Sequence, residues 1–259
     1  MEENPESPLA EIERPFVVPC KRLTPDAPLR WLRLGWQDFK RAPRLSLIFG
    51  FVIMLISAAV SALAWSLGRF ALLAALLSGF VFVAPLIAVG LYCVSRELGA
   101  RRTPTLRHSF VLARRVAGQA GVFSLVQLVI LLLWSRAGMM LNAFFPVEAN
   151  STGMLIEFLA IGSAVGSVFA SLTFATAAFS LPMIADREVD MITACVSSIH
   201  AVLRNKPAMM VWALLIAGLT ALGLFTAFLG LIIIMPWLAY ATWHAYRDTL
   251  QPDAWPELA

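Results

Sequence analysis

The chain has 259 residues, of which 59% are hydrophobic and only 14% charged, and its formal net charge is +4. Soluble domains carry about 25% charged residues and are less than half apolar, so this chain lacks the polar surface to cover a water-facing globule and a bilayer must solvate it. The charge does not point to nucleic acid, because the basic residues fall in separate segments rather than in one patch.

Residues 1–23 carry Glu2, Glu3, Glu6, Glu11, Glu13 and four prolines. They read as a flexible cytoplasmic tail, disordered or loosely docked. The first residues are acidic, with no basic region and short apolar core behind them, so no cleaved signal peptide is expected. Residues 24–250 read as the membrane domain and 251–259 as a C-terminal tail.

A helix that crosses a bilayer needs about 20 mostly apolar residues. Six stretches supply them: 45–67, 71–94, 119–144, 154–184, 208–225 and 229–246. The fourth is long enough that it must tilt, bend or protrude. Its Gly162, Gly166 and Ala170 stand four apart, a spacing that lets helices pack closely inside a bundle.

A shorter amphipathic segment precedes each pair of spans. The first opens on Thr24-Pro25-Asp26, a capping sequence, and sets Leu29, Leu32, Trp36 and Phe39 opposite Arg30, Arg33, Gln37, Lys40 and Arg41. The second opens on Thr103-Pro104 and gathers Arg107, His108, Arg114 and Arg115. The third groups Ile192, Cys195, Val196, Ile199, Val202 and Leu203 opposite Thr193, Ser197 and Arg204. Segments with basic faces and aromatic undersides are expected in the headgroup layer.

A tetrapeptide recurs late in three spans: Pro85-Leu86-Ile87-Ala88, Pro182-Met183-Ile184-Ala185 and Pro236-Trp237-Leu238-Ala239. Each leads to an arginine beside an acid. The pattern predicts an all-α, polytopic bundle of six transmembrane helices, built as three repeats of an interfacial helix plus a hairpin, about 24–97, 103–188 and 190–248. With the N-terminus inside, eighteen of the twenty Lys and Arg lie in inner segments; Arg69 is in an outer loop and Arg136 within the third span. The expected location is therefore a bacterial inner membrane, crossed many times, with both termini cytoplasmic.

Arg136 and Glu157 are the two clear charges at bilayer depth, on consecutive spans joined near 147–152, and are expected to pair. The ends of the return helices should gather Arg96, Glu97, Asp186, Arg187, His244, Arg247 and Asp248 on one level. That collar either satisfies itself or docks a partner protein or anionic headgroup. Trp31, Trp36, Trp212, Trp237, Trp243 and Tyr246 read as an aromatic belt. Cys20, Cys93 and Cys195 lack metal spacing and are expected as free thiols on the inner side. His108, His200 and His244 read as solvated interfacial groups rather than ligands. No catalytic, cofactor or metal site is expected, and no enzyme motif occurs.

The residues Trp31-Leu32, Gly35-Trp36-Gln37-Asp38-Phe39, Pro85, Gly90-Leu91-Tyr92, Ser95-Arg96, Pro182-Met183, Asp186-Arg187 and Trp243-His244-Ala245-Tyr246-Arg247 resemble a bacterial family of uncharacterised integral membrane proteins. The likeness spans about residues 25–250. Some members of that family are labelled as a cytochrome c oxidase subunit. A haem–copper catalytic subunit needs about six histidines for its haems and copper, and this chain has three. The resemblance therefore implies at most an accessory role beside a respiratory complex. The leading expectation is a non-catalytic accessory, scaffold or assembly component of a larger membrane complex. The alternative is a small-molecule or lipid transporter built from repeats. Membrane lipid is the expected partner, beside other membrane proteins or a second copy.

Overall fold

The computed structural model of the chain describes residues 15–67, 70–144 and 152–258. Residues 1–14, Arg69 and all but Thr152 of the turn expected near 147–152 lie outside them. The described residues form α1 (Ala27–Arg41), α2 (Pro43–Leu67), α3 (Phe70–Gly99), α4 (Leu106–Arg115), α5 (Ala117–Phe144), α6 (Thr152–Ala177), α7 (Ser180–Asp186), α8 (Met191–Arg204), α9 (Lys206–Phe225) and α10 (Leu231–Thr249). Among them the only strand-like pairings are two isolated bridges, Cys20 with Leu250 and Arg187 with Glu257.

Among the described residues four stretches are long and apolar enough to cross a membrane: Pro43–Leu63, Ala117–Leu141, Ile156–Asp186 and Lys206–Phe225. Only 6 to 22% of their most apolar windows is buried inside the protein, so most of their side chains face outward. Leu47, Phe51 and Leu55 on α2 and Leu125, Val129 and Leu132 on α5 are exposed in this way. Water would charge about 25 cal/mol for each square ångström of such surface. Lipid charges nothing comparable, so these helices are stable as drawn only in a bilayer.

The expected span 154–184 is broken. Pro182 has no N–H for the carbonyl four residues back, that of Ala178, and its ring crowds that carbonyl. The helix ends at Ala177 and resumes at Ser180. Ser198 of α8 closes the gap: its hydroxyl donates to the Ala175 carbonyl at 2.7 Å and accepts the Phe179 N–H at 3.0 Å.

Proline also shapes the contact between α2 and α10. Pro236 cannot bond the Ile232 carbonyl, and that oxygen lies against Gly50 of α2. A Cβ built on Gly50 would stand 1.9 Å from it. Gly35 of α1 does the same work one layer further along, where a Cβ would meet the Ala241 nitrogen at 2.6 Å. Helices α1, α2, α3 and α9 all pack on α10, which buries Leu231, Ile234, Leu238, Tyr240, Ala241 and Tyr246.

Local details correct the expected helix starts. The residue capping α1 is Asp26, without a side-chain bond to the helix, and α4 is capped by Thr105, whose hydroxyl accepts the His108 N–H. On α8 the burial is partly inverted, although Cys195 of the expected apolar set is buried and Arg204 of the polar set is exposed. Thr193, Ala194, Ser197, Ser198 and Ala201 face in, while Ile192 and Leu203 are exposed. Leu29 and Trp36 of α1 likewise point outward, and Trp31, Gly35 and Asp38 point in.

The main buried cluster sits at the end of the bundle that holds α1, α4, α7 and α8, and both chain-terminal segments enter it. Val18, Cys20, Trp255 and Leu258 are buried there. Residues 15–23 and 251–258 are therefore docked, not loose. The reason is hydrogen-bonding: Lys21 N–H donates to Thr249 O at 2.8 Å, Gln251 N–H to Pro19 O at 2.9 Å, and Val18 N–H to the Ser197 hydroxyl at 2.9 Å.

Candidate functional site

Every residue of the expected collar lies at this end, but in separate pairings. Asp186, 4% exposed, is the centre of one. It accepts from the Tyr246 hydroxyl at 2.8 Å, from Arg247 Nη1 at 3.1 Å and from Arg187 Nε at 3.3 Å. Arg187 also donates to the Trp255 carbonyl. Arg96 donates to the carbonyls of Ala185 and Leu258, and the Leu258 N–H returns to the Asp186 carbonyl. The segment 255–258 is thus strapped across the ends of α3, α7 and α10.

Glu97 stands apart from this knot, 3.5 Å from Arg102 and 3.6 Å from His108. Asp248 accepts from Arg30 and from the Trp31 indole N–H at 2.8 Å. His244 Nε2 lies 2.8 Å from Asp38. Asp38 is the residue that sequence reasoning missed as a site group. It is 4% exposed, takes the Ser95 hydroxyl at 2.9 Å, and joins α1, α3 and α10. Its only signal was an acid on the face of α1 that also carries Trp31 and Gly35.

Arg136 and Glu157 are both exposed, on α5 and α6. Among the described residues no ion pair within 4.0 Å joins them. Their helices do pack: Gly162 and Gly166 approach Leu141 and Trp134 of α5. The aromatic belt is also redrawn. Trp31 and Trp212 meet edge to face at 5.6 Å, and Trp243 contacts Tyr92 and Tyr246. These rings are buried, so they are packing groups of the core.

All three cysteines are free and buried. Burial pushes the Cys20 thiol up, with Arg204 opposing it. Burial likewise raises Cys195, against a bond from Ser180. Burial would raise the Asp190 carboxyl, but the Thr193 amide and hydroxyl and other bonds hold it below the usual range, as suits the cap of α8. Among the described residues no group of three or more His, Cys, Asp or Glu could hold a metal ion.

Above the knot lies a cavity of about 720 Å³, walled by α3, α5, α6, α7, α9 and α10. Its lining is mostly apolar and includes Pro85, Tyr92, Phe123, Gln127, Trp212 and Thr242. Gln127 Nε2 donates to Thr176 at 3.2 Å. The Gln127 Oε1 and Trp212 Nε1 atoms are buried without a partner. A cavity of several hundred cubic ångströms with a few polar groups among apolar ones is the usual form of a small-molecule site.

An all-helical chain with four apolar, outward-facing spans is an integral membrane protein. Residues 72–186, somewhat under half of the chain, match the model of a family described as predicted integral membrane protein (DUF2189). This accords with the expected likeness to an uncharacterised membrane family. Neither curated proteins nor solved structures give a match.

Proposed function

We propose that this protein is a non-catalytic, multi-pass protein of a bacterial inner membrane that holds an apolar or amphiphilic small molecule, such as a lipid, between its helices. The observation that carries this reading is the cavity of about 720 Å³ shared by six helices. Pro85, the first of the recurring prolines, lies in its wall. A proline in each return helix is one way a repeat-built carrier opens room at mid-depth. In this reading α2–α3, α5–α7 and α9–α10 are three hairpins and α1, α4 and α8 their interfacial helices. The strapped end faces the cytoplasm, following the distribution of Lys and Arg.

A charged collar open to a partner would favour the accessory-subunit reading. Asp186, Arg187, Arg247 and Arg96 are engaged with one another and with the 255–258 segment. That leaves the cavity as the better-supported feature. The test is native mass spectrometry of protein taken from membranes in mild detergent. A retained amphiphile is expected on the protein and is lost from Ala170→Phe, which fills the cavity from α6. An empty native protein, or equal retention by the filled variant, would remove the reading.

A further inference from the structure

We propose that the space between the end of α3 and α4 is a binding site for a phosphate-bearing anion. The site is a separate cavity of about 750 Å³ and is independent of the intramembrane one. Arg96, Arg102, Arg107, His108 and Arg115 line it, against two acids, Glu97 and Glu257. Cations therefore outnumber anions around an open, solvent-facing hollow. Arg102 faces Glu97 at 3.5 Å and Arg115 faces Glu188 at 3.6 Å, so the cation in excess is Arg107.

The members are held differently. Arg96 is spent on the carbonyls of Ala185 and Leu258 and forms a fixed floor. Arg102 is brought back over the helix end by a tight loop. Arg101 adopts φ 57°, its N–H reaches Leu98 O, and the Arg102 N–H reaches Glu97 O at 2.8 Å. Arg107 has no ion pair within 4.0 Å among the described residues. It and His108 sit in the first turn of α4, whose unsatisfied amides add partial positive charge on the same side. Guanidinium forks match phosphate oxygens two at a time, and the free N–H groups of a helix start donate to the third.

A phosphate group here can belong to a lipid headgroup or to a soluble ion, and the two are separable. The full-length protein in phosphatidylcholine nanodiscs is titrated with inorganic phosphate at constant ionic strength. A second set of nanodiscs contains phosphatidic acid. Thermal unfolding reports occupancy in both. Saturable stabilisation by inorganic phosphate assigns a soluble anion; stabilisation confined to phosphatidic acid assigns a headgroup. In either case Arg107→Gln weakens it by about tenfold and Arg107→Lys by less, because charge remains and the fork is lost. Arg107→Gln breaks no ion pair, so its fold is expected to stand, checked by helical circular dichroism. Arg33→Gln, on exposed α1, leaves binding unchanged. The proposal is overturned if neither phosphate source stabilises the protein, or if Arg33→Gln costs as much as Arg107→Gln.

Discussion

Asp186 is a hub of the polar layer, because Tyr246 and Arg247 of α10 and the adjacent Arg187 all donate to one buried carboxylate. Replacing it with Asn leaves Arg187, whose side chain is only 10% exposed, with the exposed Glu257 at 3.4 Å in place of its buried acidic partner. Asp186→Asn is expected to cost about 3 kcal/mol, measured by unfolding in detergent. Tyr246→Phe should cost about 1 kcal/mol. The double variant should cost less than the sum, since both remove the same bond. Sequence marked Asp186, as an acid beside the recurring arginine. It did not mark Asp38, since an acid within an amphipathic stretch reads as solvated until the packing of Gly35 on α10 turns that face inward.

At the scale of helices, the long apolar runs were legible to within a few residues. Expected 45–67 and 208–225 became Pro43–Leu67 and Lys206–Phe225. The facing of the short helices was not legible. Periodicity locates an apolar and a polar face, but in a bilayer either can point inward. On α8 the serines turned in because Phe179 and Val18 needed hydrogen-bond partners. The break before Pro182 was foreseeable as a bend, though its stitching by Ser198 was not. The tightest helix contact gives a sharp expectation. Gly50→Ala forces α2 off the Ile232 carbonyl and should cost about 3 kcal/mol. Gly218→Ala on α9, with nothing within 4 Å of the added carbon, should be neutral or slightly stabilising. Thermal unfolding of the two variants in the same detergent checks both.

For the whole molecule, the sidedness proposed above needs a probe other than its own thiols. Cys20, Cys93 and Cys195 are 6%, 4% and 8% exposed, so an impermeant reagent should miss them from either side. That silence makes the native protein a clean background. Gln251→Cys, at the strapped end, and Ala227→Cys, in the turn between α9 and α10, are both exposed positions. In intact spheroplasts an impermeant maleimide should label Ala227→Cys and spare Gln251→Cys; the reverse pattern would invert the topology. The strapped end also has a history in time. Its N-terminal residues are held by partners far along the chain: Leu23 by Asn205, Lys21 by Thr249, Pro19 by Gln251. A chain inserting helix by helix can fasten Val18 and Leu23 once α8 and Asn205 have emerged, but the Lys21 amide and the Pro19 carbonyl meet Thr249 and Gln251 only after α10. The last bonds of this layer therefore form only when the last helix is in place. A protease that finds the 15–23 segment open is reading an unfinished molecule, and one that finds it shut has met a bundle whose last helix is in place.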